Sequence, residues 1–412
     1  MAKAERLYRF LSACIYEIAI VWDVDPIRNP FAPGAGQPPP ALVGRDVELG
    51  AARVVLERLA QRRGTRGALY VGVRGVGKTV LLNAVRRAAG DAGWIVVKVE
   101  AARGRPLRRS IAQSLNTALR TATGRHVGGF DRALAVFKSF SLTTSPDGSL
   151  ALGIDVDPAG GIANTGDLEI DLTELFGELG AAAADLGIGL VLLVDEMHEV
   201  DDHEIGAIVG ALHDARQLGL PITVYGAGLP NLPSLLASTR NDAEQLFDVR
   251  HLDPFDDEVA AVALTSATTP EGVGWTGDAI RLVLDAAAGL PYFLQMYGKH
   301  VWDFALASPI TGADARAGVA SGRRELETVF IGAHWERATP AQRQYLEALT
   351  LLEVDGRAST RAIAESLGAT LGSLSSTRDQ LLRKGTLYAP DRGAVAFTTP
   401  GFADFVRAHA AS

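Results

Sequence analysis

Two short stretches hold residue types at a spacing that could handle phosphate. The first is Gly72-Val73-Arg74-Gly75-Val76-Gly77-Lys78-Thr79, which satisfies G-x-x-x-x-G-K-[ST]. Residues 68–73 form an apolar run that reads as a strand, and residues 78–89 read as a helix. The glycines let backbone N–H groups close around phosphates, and the helix running on through Val80 offers its positive end to them. In that reading Lys78 neutralises the β- and γ-phosphates of ATP, and the Thr79 hydroxyl is a ligand for Mg²⁺. The plain alternative is a glycine-rich turn with a surface lysine. It leaves the strand before and the helix after unexplained.

The second stretch is Gly189-Leu190-Val191-Leu192-Leu193-Val194-Asp195-Glu196. It is an apolar strand that ends in two acids. Burying charge is costly unless something compensates it, so packing alone gives no reason for the pair. Asp195 is expected to orient the metal through its water, and Glu196 to polarise the attacking water. Many strands end in Asp, so the pair is weak evidence by itself. Beside the phosphate loop it reads as the loop's metal-and-water partner. His198 follows closely and reads as a polar loop residue rather than a catalyst.

These residues need a scaffold that brings two strand ends together. Apolar strands alternate with helical stretches from Leu42 to about residue 255, which implies a five-stranded parallel sheet covered on both faces. Within that span, residues 139–144 and 149–155 alternate around Pro146-Asp147-Gly148, which predicts an inserted β-hairpin. Residues 256–330 read as a helical lid. Three helical stretches follow, 340–352, 360–367 and 371–384. Short strands at 387–388 and 394–398 then flank Pro390-Asp391-Arg392-Gly393, and the whole describes a winged helix over 331–412. Ahead of the core, residues 26–40 hold six prolines and two glycines, which predicts an extended linker over 26–41. It is either a tether or a strap over the nucleotide. The fold class expected is therefore α/β, with a helical lid and a C-terminal winged helix.

Composition narrows the functions. The 412 residues are too many for one compact core. Net charge is −8, so a global basic field for nucleic acid is absent. Cys14 is the only cysteine, which rules out an internal disulfide and suits a reducing cytoplasm. Lys3, Arg6 and Arg9 precede an apolar run over 10–22 that has the outline of a signal peptide. Glu17 interrupts it, no small-x-small cleavage site follows, and it is too short to span a bilayer. Residues 1–25 are expected to form an amphipathic helix that packs locally, on a partner or on a membrane surface. No transmembrane segment is expected elsewhere.

Leu42-Val43-Gly44-Arg45-Asp46 resembles the h-x-G-R-[DE] box of AAA+ ATPases related to origin-recognition initiators, archaeal ATPases and STAND signalling NTPases. Gly289-Leu290-Pro291 resembles the G-x-P motif of the STAND lid. Asn29-Pro30-Phe31-Ala32-Pro33-Gly34, Gly226-Ala227-Gly228-Leu229-Pro230 and Phe397-Thr398-Thr399-Pro400 resemble a bacterial family of stand-alone AAA ATP-binding proteins. The resemblance implies that Gly44, Arg45 and Pro291 line the nucleotide's base side. It also implies an ATPase that couples nucleotide to lid and winged helix.

The departures bear on rate. The fourth strand ends Val224-Tyr225-Gly226-Ala227, without the polar sensor these ATPases usually carry, and Thr223 comes too early to be one. Arg240, and after it Arg250, are the candidates for a trans-acting arginine finger, against the plain reading of surface arginines. Slow hydrolysis and a nucleotide-held switch are expected. Two other roles compete. One is a DNA-handling initiator or mobile-element helper that uses Ser373, Ser375, Ser376, Arg378, Gln380, Arg383 and Lys384. The other is a scaffold that binds nucleotide without turnover. Residues 331–412 carry nine Arg/Lys against eight Asp/Glu, so double-stranded DNA would meet an almost neutral domain. A protein partner or a homo-oligomer is the other class of partner.

Overall fold

The computed structural model of the chain describes residues 23–34, 36–125, 131–144, 159–240 and 243–410. The expected N-terminal helix falls almost wholly outside them. Five strands, β1 (Gly67–Val71), β2 (Ile95–Glu100), β3 (Leu190–Asp195), β4 (Ile222–Gly228) and β5 (Phe247–His251), form one sheet. Its order is β2-β3-β4-β1-β5, and every pairing is parallel. The three inner strands β1, β3 and β4 are buried along their whole length, because helices cover both faces. That is why they read as unbroken apolar runs rather than as alternation. All the strand ends that carry loops of interest open on the same edge. β1 and β3 flank β4 there, so the phosphate loop and Asp195 face one crevice.

The predicted hairpin is corrected. Residues 139–144 belong to a helix, Asp131–Thr144, and 149–155 lie outside the described residues. Ala133, Val136, Phe137 and Phe140 are buried at helical spacing. Ser139 and Ser141 donate to carbonyls four residues back, Ala135 and Phe137. Two serines that satisfy their hydroxyls within the helix had mimicked period-two polarity.

Four helices fill the stretch expected as a lid: Asp257–Thr268, Gly277–Ala287, Pro291–Phe304 and Gly312–Glu325. The C-terminal part has helices Pro340–Leu352, Thr360–Ser366 and Leu371–Arg383. Strands β6 (Arg357–Ser359), β7 (Leu387–Tyr388) and β8 (Ala394–Phe397) pair antiparallel in the order β6-β8-β7. A last helix, Phe402–Ala410, closes the chain. β6 was missed because three residues are too few to show alternation.

The proline-rich stretch is not a free tether. Pro26–Arg28 forms one 3₁₀ turn, and Val24 and Phe31 are buried. Trp302 donates its Nε1–H to the Asp25 carbonyl at 2.9 Å. Asn29 donates to the Lys299 carbonyl at 3.1 Å and to Asp303 at 2.7 Å. Phe31 lies over Gly298, where any β-carbon would clash with its ring. The segment is a strap pinned to the lid helix Pro291–Phe304. Prolines lower the entropy it loses on docking.

On the opposite face a buried ion pair ties two helices that flank β2 and β3. Asp171 is fully buried and pairs with Arg108 of helix Leu107–Arg125. It also accepts from the Thr165 N–H at 2.9 Å, the Thr165 hydroxyl at 2.8 Å and the Gly166 N–H at 3.2 Å. Burial pushes the carboxyl's pKa up, but the Arg108 and Thr165 bonds together hold it below the usual range. Its stabilising contribution is therefore present above the ordinary carboxyl pKa and is lost as pH falls through the lower folded value. Asp171→Ala leaves Arg108 buried and unpaired, and should cost ~3–5 kcal/mol in urea unfolding at pH 7. The gap to wild type should narrow below about pH 4. A gap that stays constant with pH would show that the pair is not the source of the loss.

Candidate nucleotide site

β1 runs into the loop 72–77, and the helix Lys78–Asp91 follows at once. Gly75 and Gly77 take left-handed φ of 82° and 98°, which a β-carbon disfavours. The Gly72 N–H donates to the Gly228 carbonyl at 3.2 Å, fixing the loop's start to the end of β4. Lys78 is buried, and its ammonium donates to the carbonyls of Gly72 at 2.9 Å and Val73 at 2.8 Å. Burial lowers its pKa to about 8, and Glu196 and Asp195 partly offset this. A desolvated cation held only by neutral carbonyls is poised for an anion. Val76 is fully buried and anchors the loop, Thr79 and Val80 are half-buried on the first helical turn, and Arg74 is exposed.

β3 delivers the acids. Asp195 is buried, and its Oδ1 accepts from the Glu196 N–H at 3.1 Å. Glu196 takes a left-handed φ of 49°, a strained conformation for a residue with a side chain. His198 is more enclosed than its place in a loop suggested. Its side chain is only 3% exposed, its Nδ1 lies 3.4 Å from Glu196 Oε2, and its Nε2 lies 3.5 Å from Glu199. Burial first, and then the cations around it, lower its pKa to about 4, so the ring is neutral at pH 7. The Leu229 N–H, just past β4, points to Nδ1 at 3.4 Å. His198 therefore stands between Glu196 and the end of β4, where the sequence offers no sensor. Only its place three residues past Asp195 hinted at this. Thr223, by contrast, sits at the far end of β4 opposite Val191.

The base-side residues converge on the loop. Arg45 donates from Nη2 to the Val76 carbonyl at 3.1 Å and the Asp253 carbonyl at 2.9 Å, and its guanidinium lies 4.8 Å over the Phe255 ring. Burial lowers its pKa. Gly44 packs against Val259 and Phe255. The Phe255 N–H donates to the Gly289 carbonyl at 2.7 Å. Pro291 then starts a helix, and the Tyr292 N–H donates to the Gly75 carbonyl at 3.0 Å. Arg240 is not brought to this site by any described contact. It pairs with Glu169 at 2.6 Å on helix Leu168–Asp185. Arg250 pairs with Asp248 along β5.

The residues present fit a magnesium nucleotide. Among the described residues no group of three or more His, Cys, Asp or Glu could cage a metal. Mg²⁺ does not require one, since it takes ligands from phosphate and water beside one or two protein oxygens. Thr79 and Asp195 could supply those oxygens. Among the described residues no helix is long and apolar enough to cross a membrane.

Comparison with known proteins agrees with this geometry. A family model described as "AAA ATPase domain" matches residues 41–225, and one described as "Domain of unknown function (DUF8462)" matches residues 328–406. No curated protein matches the chain. Among solved structures, the Aeropyrum pernix ORC2 protein in its ADP form aligns with a TM-score of 0.52 at 14% identity, over 91% of this chain and 97% of that one. Cdc6p from Pyrobaculum aerophilum gives 0.47 at 14% identity over 92% and 98%. The Thermotoga maritima RuvB Holliday junction branch migration motor gives 0.43 at 17% over 89% and 95%. The likeness to ORC2 concerns the fold alone, and the two looser ones carry no argument. Residues 41–225 thus match a model of an AAA ATPase domain, and the parallel sheet and the elements around it have a fold similar to that of the Aeropyrum pernix ORC2 protein.

Proposed function

We propose that this protein binds ATP with Mg²⁺ at the loop Gly72–Thr79, hydrolyses it slowly, and uses nucleotide occupancy to move the lid and the C-terminal domain. The observation that carries this reading is the 3.0 Å bond from the Tyr292 N–H to the Gly75 carbonyl. It ties the first turn of a lid helix to the loop that must adjust when phosphate enters. Lys78 would exchange its two carbonyl acceptors for phosphate oxygens. Thr79 and Asp195 would hold the metal, which supplies charge to the phosphates. Glu196 would orient and activate water, and Arg45 and Pro291 would border the base.

A second contact supports a switch. Gly385 lies against Arg74, close enough that a β-carbon there would stand 2.6 Å from Arg74 Nε. Burial lowers the His334 pKa, and Arg74, Arg337 and Lys384 lower it further, so positive charge gathers where the C-terminal part meets the loop. We read this part, three helices and a small antiparallel sheet, as a winged helix. A DNA role has less support. Lys384 donates to Gln342 at 2.8 Å, Arg378 pairs with Asp379 at 2.9 Å, and Arg383 donates to the Asp379 carbonyl. Those side chains are engaged within the fold. A homo-oligomer with Arg240 as a trans-acting finger would require that arginine to leave Glu169.

Three measurements test the reading. Lys78→Ala should weaken ATP binding by at least ~100-fold in calorimetry, about 2.7 kcal/mol. Unchanged affinity would place the nucleotide elsewhere. Glu196→Gln should retain ATP affinity and cut phosphate release at least ~10-fold, since an amide cannot take a proton from water. Equal release by wild type and variant would leave a scaffold. Finally, hydrogen exchange in the helix Leu371–Arg383 should differ between ADP and a non-hydrolysable ATP analogue. Nucleotide can shift such an equilibrium only by its differential affinity for the two states. Identical protection with both ligands bound would remove the switch.

A further inference from the structure

Both metal-facing side chains, Thr79 and Asp195, touch one polar chain that the proposed reaction does not use. Lys98 of β2 points its ammonium at Asp195 Oδ2, 3.7 Å away. The same ammonium donates to Asn83 Oδ1 at 2.7 Å. Asn83 stands one turn beyond Thr79 on the helix Lys78–Asp91. Its amide donates onward to the Gly36 carbonyl of the N-terminal strap at 2.9 Å. Gly36 itself lies over the Thr79 methyl, so that a β-carbon would come within 2.7 Å of it. The Lys98 side chain is 22% exposed, so it can swing toward water, whereas Asp195 cannot.

The electrostatics give this chain a direction. With no metal at Asp195, Lys98 joins Lys78 in compensating a buried carboxylate, and it is Lys98 that forms the ion pair with Oδ2. A divalent ion at the same carboxylate adds two positive charges beside the ammonium, and like charges at such a separation repel strongly where solvent is scarce. Lys98 would then withdraw from Asp195. In withdrawing it gives up Asn83 Oδ1, and Asn83 becomes free to rotate away from the strap. Packing alone does not call for this arrangement. An apolar residue on the edge strand and an alanine on the helix would fill the space without bringing two part-buried polar side chains against the buried Asp195.

We propose that Lys98 is a positioning residue that stands in for the metal at Asp195, and that Asn83 relays its displacement to the strap at Gly36. The strap, anchored to the lid helix through Asn29, Phe31 and Trp302, is thereby coupled to metal occupancy. The inference rests on the magnesium-nucleotide reading of the site and deepens it. It gives the N-terminal strap a signalling task, with metal-bound nucleotide as the signal.

The test uses the full chain and ADP, so that no turnover intervenes. ADP affinity is measured by calorimetry with Mg²⁺ and with EDTA, and hydrogen exchange is followed at residues 31–37 in both states. In wild type, exchange there should be at least fivefold faster with Mg²⁺·ADP than with ADP in EDTA. Lys98→Met removes the competing cation. It should raise the ratio of the two affinities, Mg²⁺ over EDTA, at least fivefold and abolish the metal-dependent change in the strap. Lys98→Arg should restore both. Asn83→Ala should keep the wild-type affinity ratio but lose the response of the strap, an outcome that a merely structural role for these residues does not give. Failure of wild type to bind ADP in either condition would sink the nucleotide reading and this inference with it. ADP binding with the same affinity ratio in wild type and Lys98→Met, or a strap that exchanges alike with and without metal, would overturn the inference and leave the nucleotide reading standing. If Lys98→Met does not fold, Asn83→Ala decides, since an unchanged strap response in that variant refutes the relay.

Discussion

A lysine ammonium held out of water at the end of β1 is the constraint around which the molecule is arranged. Among the described residues the Lys78 ammonium donates to the carbonyls of Gly72 and Val73, and burial lowers its pKa toward neutrality against the partial offset of Glu196 and Asp195. Such a group is tolerable only if its surroundings are rigid and its eventual partner is an anion. Rigidity comes from three sides. β4 holds the loop's start through Gly228, Arg45 holds its middle through the Val76 carbonyl, and the lid holds its crown through Tyr292. Removing any one of these would let water reach the ammonium and reduce its pull on phosphate.

The same constraint explains why so much of the chain meets at one loop. Arg45 spends its Nη2 on the carbonyls of Val76 and Asp253 and its flat face on Phe255. It clips the segment before helix Asp46–Ala60 to the residues just past β5. Phe255 in turn is bonded to Gly289, whose left-handed φ of 69° lets the lid pass within contact of that backbone. A side chain there would meet the Phe255 carbonyl at 2.3 Å. Sheet, entry segment and lid therefore share a few atoms around the phosphate loop. A small shift of the loop must be taken up by all of them, because packed interfaces move between discrete arrangements rather than deforming smoothly.

The acids at the end of β3 show how strain and burial are used. Glu196 occupies a left-handed backbone conformation that costs of order 1–3 kcal/mol for a residue with a β-carbon. Its side chain lies against His198, while its N–H donates to Asp195 Oδ1. A neutral imidazole 3.4 Å from Glu196 and from the Leu229 N–H links the acid to the tip of β4.

Local physics was readable in the sequence. The glycines, Lys78 and Thr79 sit where a strand passes into a helix, and the unbroken apolar runs announce strands buried on both faces. Each of these depends on neighbours within a few positions, so spacing alone carries it. Where sidedness was all the sequence offered, it misled. Ser139 and Ser141 looked like one face of a hairpin, because hydroxyls bonded to their own helix are polar in the sequence and satisfied in the fold. Everything that joins residues far apart was decided by tertiary structure. Arg240 read as a finger candidate or a surface arginine, and in the fold Glu169, seventy-one positions away, holds it. The proline-rich segment could have been a tether or a strap, and Trp302, Asn29 and Phe31 dock it on a helix more than 250 positions on. A polar side chain reveals its chemistry in the sequence, but its partner is chosen by the folding of the sheet, and the partner determines whether it binds a ligand or holds the protein together.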